Sequence, residues 1–140
     1  MREKDYELIE HTADIGIRVR GENIKILFTN AASALFDIVA RAKPSLRIFP
    51  KKIRISVAAG SSDELLISWL NELLSLSTTK EVVFTKFIIH KLSDTALEAI
   101  ATGYARKNFT FSTEIKAATY HGLKLEKTPF GWQAEVIFDV

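Results

Sequence analysis

The sequence predicts an α+β fold in which two main helices pack on a mixed, mostly antiparallel sheet. Apolar residues alternate with polar ones over residues 15–20 and 132–139, as in half-buried strands. In two intervening stretches they recur every three or four residues, as in amphipathic helices. The last strands are joined by turns too short for a helical crossover, which favours antiparallel pairing.

Length and composition indicate one globular domain spanning residues 1–140. Of its residues 47% are hydrophobic and 26% are charged, which is typical of a folded protein. The chain has no cysteine, which excludes a disulfide scaffold, a thiolate zinc site and a cysteine nucleophile. The 19 basic and 17 acidic residues nearly balance, so net charge does not predict nucleic-acid binding. No stretch has the apolar length of a signal peptide or a membrane span, and we expect a cytoplasmic protein.

The first half of the chain predicts two strands, a helix and a loop. The strands are expected over 6–11 and 15–20, the second with arginines on one face and apolar residues on the other. The helix is expected from Ile24 to near Arg41, because its apolar residues form one wide face. A proline-containing loop over 43–50 follows, and its basic character continues into Lys51 and Lys52. A solvated surface is the simpler explanation of that charge.

The middle of the chain predicts a strand over 53–59 and then the central helix. Ser61 and Glu64 have the spacing of a capping box, which marks the start of a helix. Two adjacent apolar stripes follow, so Trp69 and Leu73 are expected in the core. The rest predicts strands over 82–92, 95–104, 113–126 with a bend at Gly122, and 132 to the end.

The familiar catalytic motifs are absent. The chain has no nucleotide-binding glycine loop, no H-E-x-x-H and no G-x-S-x-G. His90 lies among apolar residues and is expected to be a structural histidine rather than a metal ligand. The three histidines show no zinc-site spacing.

Two polar clusters and the chain end carry the remaining chemistry. The first cluster is His11-Thr12-Ala13-Asp14, which a turn alone would explain. In the second, 114–121, Lys116 and Tyr120 share a strand face and could flank a groove, although a solvated face is simpler. Burial in a strand would explain Tyr120 and His121.

The end of the chain offers oxygen ligands for a hard cation. Asp139 and Val140 place carboxylate and backbone or terminal oxygens side by side. If the last strand lay beside Asp14, the two aspartates could share one cation, a contact that spacing alone does not establish.

With these motifs in view, the chain resembles the archease family over nearly its whole length. The resemblance lies in HTADIG at 11–16, LF at 27–28 with AA at 31–32, LLISWLNELL at 65–74, EIKAATYH at 114–121, WQAE at 132–135 and DV at 139–140. It implies an activator of the GTP-dependent RNA-splicing ligase in tRNA splicing, which promotes guanylylation of the ligase and its multiple turnover. It also implies a chaperone-like role toward a tRNA cytosine-5 methyltransferase.

The resemblance implies roles for particular residues. Asp14 and Asp139, helped by the last residue Val140, would bind a divalent cation, calcium first and Mg²⁺ or Mn²⁺ as alternatives. Lys116 would act in ligase activation, and the neighbours of this site would be His11, Glu114, Tyr120 and His121. The chain departs from the family after the first helix, where it has basic residues at 41–43, and this bears on the partner surface.

Three functions remain open from the sequence. A non-enzymatic ligase activator is favoured, because no nucleophile–base pair or cofactor loop is present. A stand-alone metal-dependent hydrolase using the two aspartates with Lys116 and His121 is the second. The methyltransferase chaperone is the third, and direct RNA contact is left open.

Overall fold

The computed structural model describes residues 5–9, 14–44 and 49–140. Their elements follow in the order β1 (Tyr6–Ile9), β2 (Ile15–Gly21), α1 (Ile24–Val39), β3 (Ala40–Ala42), β4 (Lys51–Ala58), α2 (Ser62–Thr79), β5 (Val82–Leu92), β6 (Ala96–Ala105), a 3₁₀ helix (Arg106–Asn108), β7 (Phe109–Phe111), β8 (Ala117–Thr128) and β9 (Gly131–Asp139).

The strands form three sheets, with the orders β1-β2-β9-β8, β4-β6-β5 and β3-β7. Every pairing among the described residues is antiparallel. Both helices contact both of the larger sheets and so lie between them. The predicted α+β class is confirmed, and no helix in the described part of the chain is long and apolar enough to cross a bilayer.

Both helices begin at capping side chains. The Asn23 side chain accepts a hydrogen bond from the Ile26 amide at 2.9 Å, and Ser61 Oγ accepts one from the Glu64 amide at 3.3 Å. Glu64 in turn accepts a hydrogen bond from the Gly60 amide at 2.8 Å. The capping-box start of α2 is therefore confirmed, with the glutamate reaching Gly60 instead of Ser61.

The core lies around α2. Trp69 and Leu73 are fully buried, as predicted, and the indole of Trp69 donates a hydrogen bond to the Phe28 carbonyl at 3.0 Å. The Trp69 ring also meets Phe87 edge-on, with centroids 6.2 Å apart.

His90, in contrast, is exposed on β5, so its prediction as a structural histidine is wrong. It lies at a register shift between Ile89 and Lys91, which breaks the alternation on which that prediction depended.

Some predicted boundaries are wrong. The first helix ends at Val39, and residues 40–42 form β3 against β7, two short strands that the sequence did not predict. The strand expected from 113 begins at Ala117, and the preceding residues are irregular. The bend at Gly122 is confirmed, because this residue has a φ of 63° inside a register shift of β8 against β9.

Candidate functional site

The end of β9 lies between β2 and β8, next to the start of the strand that follows Asp14. Ile15 pairs with Phe138, and the register continued by one residue into the bend at Asp14 would put Asp14 opposite Asp139. Opposite residues of antiparallel strands have Cβ atoms about 4.5–5.5 Å apart. Two carboxylates at that separation are within reach of one cation.

Lys116 joins the same end of the sheet through its backbone. Its amide donates a hydrogen bond to the Asp139 carbonyl at 2.9 Å, and Ala117 pairs with Asp139 in the β8–β9 ladder. The Lys116 side chain is exposed, and Val140 is 43% exposed. Lys116, Asp139 and Val140 therefore lie at one exposed end of the four-stranded sheet, and Asp14 directly precedes β2 at the same end, which we call the aspartate end.

Asn71 of α2 holds the strand that carries Lys116. Its side-chain Oδ1 accepts a hydrogen bond from the Ala118 amide at 2.7 Å, and its Nδ2 donates one to the Ala118 carbonyl at 3.1 Å. Ala118 lies at the outer edge of the sheet, where these two backbone groups point away from β9. Asn71 therefore takes the place of a missing neighbouring strand.

Sequence reasoning missed this role of Asn71. The available signal was an amide side chain within the apolar run 65–74, since a partly buried amide must find hydrogen-bond partners. The identity of the partner was not visible, because Ala118 lies 47 residues away in sequence.

Ion pairs cross the outer face of the four-stranded sheet, away from the aspartate end. Arg18 lies 2.6 Å from Glu7 and 3.5 Å from Glu135, and Arg20 lies 2.9 Å from Glu7. The hydrogen bonds that Arg18 and Arg20 donate to Glu7 lower the pKa of Glu7, and the one that Arg18 donates also raises the pKa of Arg18. These pairs fasten β1 to β2, so they support the position of the strand that follows Asp14.

An apolar patch separates those ion pairs from the aspartates. Ile137 is two residues before Asp139, on the same face of β9, and is 5% exposed. A Cβ on Gly16 would lie 2.5 Å from Ile9 and 2.9 Å from Ile137, so Gly16 leaves room for these two side chains. Asp139 therefore follows an apolar stretch on this face of β9.

Tyr120 and His121 lie in the bulged part of β8. Tyr120 is 58% exposed and His121 is also exposed, so burial in the strand, the simpler explanation of both, is wrong. The His121 amide donates a hydrogen bond to Thr119 Oγ1 at 3.3 Å, and this hydroxyl donates to the Ile137 carbonyl at 3.0 Å. The bulge turns these side chains outward, which strict alternation along a regular strand did not predict.

Two other predicted site neighbours are Glu114 and His11. Glu114 is exposed and lines a cavity of about 550 Å³ with Arg106 and Glu81, near the end of α2. His11 lies outside the described residues.

The donor set at the aspartate end fits a hard cation. Carboxylate and backbone oxygens are the ligands of Ca²⁺ and Mg²⁺, whereas soft metals prefer thiolates, which this chain lacks. Within residues 5–9, 14–44 and 49–140, no group of three or more histidine or acidic side chains gathers into a metal centre. A cation held by Asp14 and Asp139 would thus complete its shell with backbone oxygens and water.

The chain matches the model of the Archease protein family over residues 6–140. Protein archease of Methanosarcina mazei is 37% identical over 143 residues, which cover 98% of this chain and 97% of that protein. Protein archease of Pyrococcus furiosus is 35% identical over 145 residues, which cover 98% of this chain and 99% of that protein.

Two solved structures share the fold. The solution structure of protein 1598 from Methanobacterium thermoautotrophicum matches with a TM-score of 0.74 and 27% identity, covering 99% of this chain and all of that one. A crystal structure from Thermotoga maritima, described as an archease and possible chaperone, matches with a TM-score of 0.66, covering 100% of this chain and 98% of that one. Its 22% identity supports the fold alone. Family match, relatives and architecture agree: the chain belongs to the archease family.

Proposed function

We propose that this protein is a non-enzymatic activator of the GTP-dependent RNA-splicing ligase, acting in tRNA splicing and RNA repair in the cytoplasm. The proposal is supported by the placement of Asp14, Asp139 and Lys116 at one end of the four-stranded sheet, where the Lys116 amide donates a hydrogen bond to the Asp139 carbonyl. Its curated relatives are named as archease proteins, a name that contains no enzymatic activity. The chain also lacks a nucleotide-binding glycine loop and any cysteine nucleophile.

The aspartate end is proposed to hold one divalent cation. Asp14 and Asp139 supply carboxylate oxygens and Val140 supplies a backbone oxygen, with Ca²⁺ as the first candidate and Mg²⁺ or Mn²⁺ as alternatives. When bound, the cation adds positive charge to this edge of the sheet. Without it, two neighbouring carboxylates would repel an incoming phosphate.

Activation requires that the protein bind one state of the ligase better than another. A partner with equal affinity for both states shifts nothing. A hundredfold acceleration of guanylylation needs about 2.7 kcal/mol of differential stabilisation, since about 1.36 kcal/mol gives a factor of ten. The Lys116 ammonium, directed at charge that develops on the nucleotide, can contribute on that scale inside a closed cleft.

The test is RNA joining by the cognate ligase with and without this protein. We expect the protein to raise the number of joined RNA products per ligase molecule above one. We expect the protein alone neither to join nor to hydrolyse RNA. Hydrolysis of the RNA or of a phosphoester by the protein alone would support the stand-alone hydrolase instead. No effect on any cognate ligase would overturn the activator role.

A chaperone for a tRNA cytosine-5 methyltransferase is the second candidate. It is the other role that the resemblance to the archease family implies, and the Thermotoga maritima structure is described as a possible chaperone. In that case the protein would keep the methyltransferase soluble on heating, and Lys116→Ala would do so equally well.

A further inference from the structure

The β4-β6-β5 sheet has one face against the helices and one open face. Side chains on the helix side are buried, among them Ile55, Phe87 and Ala99. Residues of the opposite parity are exposed or half-buried. This open face takes no part in the aspartate end, which belongs to the other large sheet.

Three cations meet on that open face. Lys52 of β4 pairs with Thr102 of β6, which pairs with Lys86 of β5. In the next row Arg54 of β4 pairs with Ile100 of β6, and Ile100 pairs with Ile88 of β5. Ile88 is 45% exposed. The six residues form what we call the basic face: Lys52, Arg54, Lys86, Ile88, Ile100 and Thr102.

The charge on the basic face is not neutralised by nearby carboxylates. In the part of the chain that the structure describes, Lys52, Arg54 and Lys86 form no ion pair. Glu98 follows in the next row, and its carboxylate lies 3.7 Å from Lys91. Because the whole chain is nearly neutral, this positive charge is a local feature.

We propose that the basic face binds a single strand of RNA through its phosphates. Lys52 and Arg54 are two residues apart on one strand, about 6.6–6.8 Å, which is close to the spacing of successive phosphates. Lys86 lies two strands away, about 9–10 Å, so the three cations can follow a backbone across the sheet. The Thr102 hydroxyl can donate to a phosphate oxygen, and the two isoleucines offer an apolar floor for ribose or base.

An exposed aromatic ring at the start of β4 favours RNA over an acidic protein. Phe49 is 81% exposed and lies two residues before Lys51. Its φ of 62° is rare for a bulky residue. Cations beside an exposed ring are typical of surfaces that bind single-stranded nucleic acid, where the ring stacks on a base.

The test is fluorescence anisotropy of a labelled oligouridylate titrated with the protein alone, so it does not depend on the ligase. Three phosphate contacts predict a slope of log affinity against log salt of about −2, or about a 20-fold loss between about 50 and about 200 mM salt. Lys52→Glu/Arg54→Glu/Lys86→Glu should abolish binding. Phe49→Ala should weaken it several-fold and leave the slope unchanged.

A matched control is the triple variant Lys25→Glu/Lys107→Glu/Lys127→Glu. These exposed lysines lie off the basic face, and the substitution changes the net charge equally. The control should bind RNA as the wild type does. Equal loss in both triple variants, or no binding by the wild type, would overturn the proposal. Competition by polyglutamate as effective as by RNA would also overturn it, in favour of an acidic protein partner.

A second measurement does not depend on how the variants fold. In the wild type, amide chemical shifts on adding the oligouridylate should change most over 51–58 and 86–102. Changes concentrated at residues 14, 116 and 139 would place the RNA at the aspartate end and overturn the proposal.

Discussion

At the scale of single residues, the two aspartates carry the proposed cation site. Their chemistry could be predicted from the sequence, since a carboxylate in a turn and one at the chain end are both oxygen donors. Their placement at the same end of one sheet could not, because it depends on the pairing of β2 with β9, which are distant in sequence.

Asp14→Asn should weaken Ca²⁺ binding by at least about tenfold, because it removes a charge from a site held by few carboxylates. Isothermal titration of Ca²⁺, Mg²⁺ and Mn²⁺ measures the change. Asp63→Asn, an exposed aspartate in the first turn of α2, is the control and should bind as the wild type does. Equal affinities in wild type and Asp14→Asn would refute the assignment.

Asn71 is a positioning residue for β8. Asn71→Ala leaves the Ala118 amide and carbonyl without their partner, at a cost of about 1–3 kcal/mol in the free energy of unfolding. Chemical denaturation measures this, and hydrogen exchange at the Ala118 amide should also become faster. The neighbouring Glu72→Ala is the control. A loss below about 0.5 kcal/mol, the range of surface substitutions, would show that the two hydrogen bonds do not stabilise the strand.

At the scale of elements, the sequence predicts a helix or strand well when a long periodic pattern has a clear start. The central helix is capped by Ser61 as predicted, because its cap and its apolar stripes are local features. The strands β3 and β7 were missed because each has three residues and is held by distant contacts. One is the hydrogen bond from the Lys43 amide to the Asn108 carbonyl at 2.8 Å. The irregular segment before Ala117 was missed for the same reason, since its hydrogen bond from the Lys116 amide to the Asp139 carbonyl is also distant in sequence.

The β1–β2 pair should depend on pH through Glu7. Its pKa is lowered in the folded protein by Arg18 and Arg20, so its contribution to stability is present above the ordinary glutamate pKa. That contribution is lost as the pH falls through the lowered value. Carboxyl NMR titration should give Glu7 a midpoint below that of an ordinary glutamate, and Arg18→Gln should move it upward. The same midpoint in both proteins would contradict the ion-pair arrangement.

At the scale of the whole molecule, the helices between the two larger sheets hold the fold together. Leu73 of α2 is fully buried, so Leu73→Ala should lower the free energy of unfolding by about 2–5 kcal/mol. Leu8 on β1 is 65% exposed, and Leu8→Ala should change the free energy of unfolding by no more than about 0.5 kcal/mol. Denaturant unfolding of both variants gives the comparison. Similar losses in the two would mean that α2 is not the centre of the core.

The same architecture separates two surfaces. The aspartate end belongs to the four-stranded sheet and the basic face to the three-stranded sheet, with the helices between them. Effects of substitutions at well-separated sites usually add. Variants of the basic face should therefore leave the binding of Ca²⁺ unchanged.

The most direct test of the central claim is single-turnover guanylylation of a cognate ligase, with GTP, in the presence of the wild type, Lys116→Ala or Lys127→Ala. Lys127 is an exposed lysine near the other end of β8 and serves as the control. The wild type and Lys127→Ala should accelerate guanylylation. Lys116→Ala should keep the fold and the affinity for Ca²⁺ yet lose the acceleration. Acceleration by Lys116→Ala equal to that of the wild type would contradict the role of the aspartate end in activation.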